Sequence, residues 1–356
     1  MKLLESTIQK ITHEDSAARE RARTRLEQLT MPHWALGRLM DLAEDLAGMT
    51  GLLKPPVSRK TVVTMAGDHG ITREGVSKYP QEVTPQMVRN FVGGGAGINS
   101  LARLVGARVV VVDMGVAGDL SDLVRDGKII SKRIAAGTGN FARGPAMTRD
   151  EAVRSLEAGI EIALSLESST DLFGTGDMGI GNTTASSAIV SVFSGAPVAD
   201  VTGRGTGIDD AQRIHKIETI EKAIALNRPD PQDPLDVLAK VGGFEIGGIA
   251  GLVLGCASIR KPVLVDGFIS TAGALIAARL SPPACDYMIA SHRSKEQGHR
   301  IALDCLGKNP LLDLDMRLGE GTGAALAMNL VEAAVRILTE VATFEEAAVS
   351  KANKGY

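Results

Sequence analysis

Residues 171–184 read DLFGTGDMGIGNTT. Two apolar residues, Leu172 and Phe173, run into a loop holding Gly174, Gly176, Gly179 and Gly181. Asn182, Thr183 and Thr184 then offer N-cap side chains ahead of ASSAIVSVF, which keeps helical spacing up to Gly195. Strand, glycine loop and helix start, in that order, build an anion site. Glycines let backbone N–H groups approach a phosphate, and the helix N-terminus adds unpaired donors and a partial positive charge. A glycine-rich turn that holds no ligand is the competing reading.

Outward from this stretch, short apolar runs alternate with helical ones. TVVTMAG (61–67) is a buried-type strand that feeds the long loop GDHGITREGVSKYPQEVT, and RVVVVDMG (108–115) is another. VLVDGF (263–268) and residues 287–290 add two more. Between them, Thr84 caps a helix with Pro85 in its first turn, stopped by GGGAG at 93–97. A second helix ends near Gly106. Thr148-Arg149-Asp150-Glu151 is a capping box that opens a helix to about Leu166. A small hairpin is expected around 128–134, and VTGRGTGIDD (201–210) is a second glycine loop ending in a cap. This alternation predicts an α/β fold, an open and mostly parallel sheet with helices on both faces. Its polar and glycine-rich loops gather at one sheet edge, where such folds place ligands. The helical segments at the two ends, including a strong amphipathic helix at 324–341, are expected to form a small second domain. The division is then 50–310 for the core and 1–49 with 311–356 for the helical part.

Composition narrows the function. A net charge of −3, from 39 basic and 42 acidic residues, suggests no nucleic-acid surface. The 40 glycines are about 11% of the chain against roughly 7% on average, and their clustering in loops points to backbone-lined sites. Three separated cysteines fit a reducing compartment, and neither a signal core nor a long uncharged apolar span is apparent, so a cytoplasmic location without a membrane is expected. The six histidines show no HExxH spacing and the cysteines no pairing, so no metal site is expected. A hydrolase elbow GxSxG and a P-loop GK[ST] are both missing. His69, in Asp68-His69-Gly70, reads either as catalytic or as a loop histidine holding backbone. Residues 174–179 match GxGxxG, which keeps an NAD-dependent oxidoreductase as the alternative. In such a site, however, the helix begins within the motif, and here caps appear only from Asn182. VVVVDMG supplies one acid, Asp113, where a diphosphate-dependent phosphoribosyltransferase commonly has two. Glu320, between glycines in RLGEGTGAAL, is either a reacting carboxylate or one placed at a helix N-terminus by the macrodipole.

GDHGITREGVSKYPQEVTPQMVRNF, the GNTT loop, TGRGTGIDD, LVDGF and RLGEGTGAAL occur in this order over residues 60–345. Together they resemble the nicotinate-nucleotide–dimethylbenzimidazole phosphoribosyltransferases, the CobT family of cobalamin biosynthesis. The resemblance implies a parallel α/β core with a small helical domain built from both chain ends, and a homodimer. It implies small-molecule substrates, no cofactor and no metal. The implied reaction moves phosphoribosyl from nicotinate mononucleotide to 5,6-dimethylbenzimidazole, giving α-ribazole 5′-phosphate and nicotinate. By resemblance Glu320 is the general base. Asp177 stands where the family has glutamate in GEMGIGNTT, and assists the base or nucleotide with a shorter side chain. Met178 faces the aromatic acceptor, with Ser77, Tyr79 and Gln86 in the acceptor region. Gly179, Gly181, Asn182 and Thr183 take the nucleotide phosphate, with Lys216 and Arg317 as charge partners unless these two are solvated surface. Gly203, Gly205, Asp266, Gly267, Ser291 and Ser294 line the substrates.

Overall fold

The computed structural model describes residues 2–350. Six strands form one parallel sheet: β1 (Lys60–Gly67), β2 (Ala107–Gly115), β3 (Ile130–Ser131), β4 (Leu172–Met178), β5 (Val263–Val265) and β6 (Met288–Ala290). Their spatial order is β3-β2-β1-β4-β5-β6. The chain therefore winds outward from β1 to β3, returns to β4 beside β1, and winds outward again. That reversal makes β1 and β4 a topological switch point, where the loops leaving their carboxyl ends part and open a crevice. All eight residues of β1 are buried, as a central strand covered on both faces requires. The fold is a doubly wound α/β fold.

Two local expectations are corrected. The 128–134 segment makes no hairpin: β3 pairs parallel with β2, Val112 opposite Ile130. Thr84 does not cap its helix, α1 (Val83–Gly93), which begins one residue earlier. Its hydroxyl instead accepts from the Ile180 N–H, tying α1 to the loop after β4. The capping box does open the helix Arg149–Leu166, and Asp209 caps the helix Asp210–Asn227 as expected.

The helices that bear on the crevice are α1, α2 (Gly97–Val105), α3 (Asn182–Ser194), α4 (Asp210–Asn227), α5 (Phe244–Ser258) and α6 (Thr322–Glu340). Not all of the glycine excess lies in loops. In α5, a Cβ at Gly251 would sit 1.9 Å from the Leu156 carbonyl oxygen, so glycine there lets two helices approach backbone to backbone. Helix α6 is long and apolar enough by composition to cross a membrane, but here it packs against the sheet, α2 and the helix Arg38–Thr50. One apolar cluster joins Leu26 and Met40 near the N-terminus, Val62 and Phe173 in the sheet, and Met328 in α6. Thr30 N–H donates to the Ala342 carbonyl and Phe344 N–H to the Gln28 carbonyl, so the two ends of the chain are also stitched together.

Candidate active site

Glu320 sits in a turn that its neighbours force. Gly319, Glu320 and Gly321 have φ of 82°, 63° and 98°, three consecutive left-handed residues. A non-glycine residue there costs on the order of 1 kcal/mol or more, so the surroundings must hold it. They do so from three sides. Asp266, at the end of β5, accepts from the N–H groups of Gly321 (3.1 Å), Gly323 (2.7 Å) and Ala324 (3.0 Å), capping α6. Thr64 of β1 donates its hydroxyl to the Glu320 carbonyl at 2.9 Å. In β4, Gly176 clears the space: a Cβ there would lie 2.3 Å from that same carbonyl oxygen.

The carboxylate itself rests on the start of α2, where Oε2 accepts from the Ile98 N–H at 3.0 Å. A Cβ at Gly97 would meet Leu318 Cδ2 at 2.7 Å and Glu320 Oε2 at 3.2 Å, so the GGGAG stretch supplies a seat for the acid as well as a helix stop. Burial pushes the Glu320 carboxyl above the ordinary range. The Ile98 and Gly97 amides oppose that shift, and the charge of Asp266 adds to it. This is a carboxylate made more basic than usual, which suits proton abstraction near neutral pH.

Beside it, Asp177 ends β4 with Oδ2 accepting from Asn182 Nδ2 at 3.0 Å, while Oδ1 has no hydrogen-bond partner among the described residues. Burial first, then the charges of Asp266 and Glu245, hold this carboxyl well above its usual range. Lys216 of α4 is fully buried and donates from Nζ to Thr183 Oγ1 at 2.8 Å. Desolvation pulls the ammonium down to about 8, with the charge of Glu296 opposing. Arg317 Nη1 donates to the Gly205 carbonyl at 3.3 Å.

These groups surround a cavity of about 510 Å³, within the range of roughly 300–1,000 Å³ usual for small-molecule sites. Glu320 shares its lining with the apolar Val83, Met87, Met178, Ile180 and Leu318, and with the polar Thr183, Thr206, Glu296 and Arg317. A second hollow of about 560 Å³ adjoins it through Gly205, Glu296 and Arg317, and is rimmed by Arg204, Arg213 and Lys295.

A phosphoribosyltransferase family matches residues 11–349. The nicotinate-nucleotide–dimethylbenzimidazole phosphoribosyltransferase of Syntrophotalea carbinolica is 66% identical over 351 residues, covering 99% of both chains. The one from Desulfotalea psychrophila is 57% identical over 355 residues, covering 99% of this chain and 100% of its own. The crystal structure of CobT from Thermus thermophilus superposes with a TM-score of 0.90 at 47% identity, over 94% of this chain and 100% of that one.

The chain belongs to the nicotinate-nucleotide–dimethylbenzimidazole phosphoribosyltransferase family.

Membership in the CobT family removes the oxidoreductase alternative, and the geometry of residues 174–179 gives the reason. Gly174 and Gly176 lie inside strand β4, and α3 starts only at Asn182, with Gly181 as its left-handed N-cap. The motif's first two glycines therefore lie in the strand, not in the strand-to-helix turn at 179–181 where a dinucleotide fingerprint needs them. The two glycines serve packing instead, Gly174 facing Ala324 and Met328 of α6 and Gly176 facing Glu320.

Of the residues singled out in the sequence, Tyr79, Asp177, Met178, Gly179, Asn182, Thr183, Gly205, Gly267, Ser294, Arg317 and Glu320 line the one cavity. Gly203 lines the adjoining hollow. Lys216 stands directly behind Thr183, and Ser77 lies 3.3 Å from the cavity residue Thr206. Asp266 is buried beneath the Glu320 turn, and Ser291 donates to its carbonyl at 3.0 Å. Gly181 packs on His69 and Thr72, and Gln86 is exposed on α1. The sequence reading passed over His292, Glu296, Phe268, Val83, Met87 and Leu318, which also line the cavity. SHRSKEQGH follows a strand at the ligand edge, a signal that could have flagged His292 and Glu296. The spacing of Val83 and Met87 reads simply as a helix face turned to the core.

Proposed function

We propose that this enzyme transfers the phosphoribosyl group of nicotinate mononucleotide to 5,6-dimethylbenzimidazole, releasing nicotinate and forming α-ribazole 5′-phosphate, the nucleotide-loop step of cobalamin assembly. One observation carries the reading at the level of residues. Glu320, the candidate base, and Thr183, backed by Lys216 as the candidate phosphate anchor, line a single cavity that also carries an apolar patch of Val83, Met87, Met178, Ile180 and Leu318.

One benzimidazole nitrogen attacks the anomeric carbon from the face opposite the departing pyridine ring. The C1′–N bond breaks and its electron pair returns to the nicotinate nitrogen, which leaves neutral and needs no general acid. The new bond would leave a positive charge on the benzimidazole. Glu320 takes the proton from its second nitrogen and discharges it, and attack from the opposite face converts β into α configuration. Val83, Met87, Met178 and Ile180 supply apolar surface suited to a flat aromatic acceptor. Lys216, Thr183, Gly179 and Asn182 take the phosphate end, with Arg317 nearby. Asp177, whose carboxyl burial raises, lines the same cavity beside the bound nucleotide. This reading includes a homodimer in the cytoplasm that acts on small molecules alone, and a division into a 50–310 core and a helical part from 1–49 and 311–356. Nicotinate release on mixing the protein with nicotinate mononucleotide and dimethylbenzimidazole tests the reaction; no release, with both compounds shown to bind, would overturn it.

A further inference from the structure

A buried pair under the substrate turn has no part in the chemistry above. His69 follows β1, and Glu245 stands in the first turn of α5. Both side chains are fully buried, with His69 Nε2 2.5 Å from Glu245 Oε1. Neither lines the cavity. His69 Nδ1 and Glu245 Oε2 have no hydrogen-bond partner among the described residues. Such a pair is a poor source of stability, because stripping both groups of water offsets their attraction, and apolar replacement is often neutral or better.

The fit around the pair is tight on the side of Gly67 and Gly243. A Cβ at Gly243 would lie 2.4 Å from His69 Cε1 and 2.8 Å from Glu245 Oε2, and one at Gly67 would lie 2.9 Å from the same oxygen. On the cavity side, a Cβ at Gly179 would be 3.4 Å from His69 Cδ2, and one at Gly181 would be 3.2 Å from His69 Cβ. His69 is thus enclosed by Gly243 at the start of α5 and by the 179–181 turn, which stands close to its Cβ and at ordinary van der Waals range of its ring edge. Its single side-chain hydrogen bond, to Glu245, selects the ring plane.

We propose that His69 and Glu245 are positioning residues for the mononucleotide: Glu245 orients the imidazole, and the imidazole sets the height of the turn that presents Gly179, Asn182 and Thr183 to the donor. The inference rests on the transferase reading and on the phosphate lying at those residues. The other charged groups at the pair are Asp68, whose Oδ2 accepts from the Ala117 N–H, and Asp177, which feels the charge of Glu245.

Steady-state kinetics on three single variants, and on the double variant Glu245→Ala/His69→Phe, separate orientation from charge and from mere folding. Glu245→Ala removes the acceptor, and His69→Phe keeps a ring without a donor. Each is expected to raise KM for nicotinate mononucleotide about tenfold while KM for dimethylbenzimidazole stays within about twofold, the selective loss that a displaced binding turn produces. Glu245→Gln keeps an oxygen for His69 Nε2–H but no charge, and is expected to stay within about twofold of the parent, with the double variant no worse than either single one. An unchanged donor KM in Glu245→Ala overturns the proposal, as does an equal rise in both KM values. If Glu245→Ala does not fold, Glu245→Asp, which withdraws the acceptor by one methylene, must show the same selective rise. A parent enzyme that releases no nicotinate overturns the transferase reading itself, whereas an active parent with unaffected variants removes only the role of the pair.

Discussion

Glu320 Oε2 accepts from the Ile98 N–H at 3.0 Å, across 222 residues of sequence. The carboxylate is therefore held by a helix N-terminus that belongs to neither its own turn nor the strand beneath it. A hydrogen bond from a backbone amide fixes where the charge sits without neutralising it, which is what a base needs before it meets a proton. Glu320→Gln keeps the shape and the amide contact but cannot accept that proton. Turnover is expected to fall by about 10² to 10⁴, the usual contribution of a general base. Calorimetry should find both substrates bound with nearly parental affinity.

The pH profile follows from the same burial. As the proposed base, Glu320 acts only when ionised, and its carboxyl is raised above the ordinary range. The acid limb of kcat/KM should therefore lie above the pH at which an exposed glutamate titrates, about 4.3. Activity is lost as pH falls through that raised value. A limb at or below the ordinary glutamate value would exclude Glu320 as its source.

Gly176 and the Glu320 carbonyl leave no room for a methyl group, since a Cβ would lie 2.3 Å from the oxygen and 2.7 Å from its carbon. Both are backbone atoms and cannot swing away. Gly176→Ala is expected to cost about 1–3 kcal/mol of stability, typical of overpacking, and to lower kcat by displacing the turn. Gly93→Ala, where nothing lies within 4 Å of the added carbon, should leave both unchanged. Thermal melts and turnover on the two variants make the comparison.

Lys216 titrates at about 8 because burial penalises its charge. The proposed hold on a phosphate would be present below that value and fade as pH rises through it. Donor affinity should weaken above about pH 8, and Lys216→Met should remove that dependence. The variant is also expected to bind nicotinate mononucleotide about 10- to 100-fold more weakly, the equivalent of one hydrogen bond to a charged group. Titration of donor binding across pH checks both outcomes.

Asp177 bears on stability with a definite sign. Its folded carboxyl is raised well above the unfolded value. Its contribution is therefore fully present below the unfolded value, near about 3.9, and is lost as pH rises through the raised one. Asp177→Asn keeps an oxygen for Asn182 and carries no charge. The variant should melt higher than the parent at about pH 8, by a few degrees for about 1 kcal/mol, with a smaller gap at about pH 5. Scanning calorimetry at the two values decides it; a gap that shrinks with rising pH contradicts the assignment.

The α/β class and the caps at Thr148 and Asp209 were legible from residue order, whereas Asn182, Thr183 and Thr184, expected as N-caps, lie inside α3, whose N-cap is Gly181 with no side-chain cap. Each legible feature depends on contacts within one or two helical turns, or on burial that a run such as VVVV cannot avoid. The position of Glu320 between glycines, just ahead of a helix start, was legible too. What residue order could not say is why those glycines are there. Gly174 and Gly176 read as loop and proved to be strand, because α6 and the Glu320 turn, far along the chain, press against β4. The seat of Glu320 on α2, the cap Asp266 places on α6, and the His69–Glu245 pair arise only when β1 and β4 lie side by side. Local hydrogen bonds and apolar periodicity are written along the chain, whereas close approach of distant backbones is set by the order of strands in the sheet, and this protein's site is built almost wholly from the second kind.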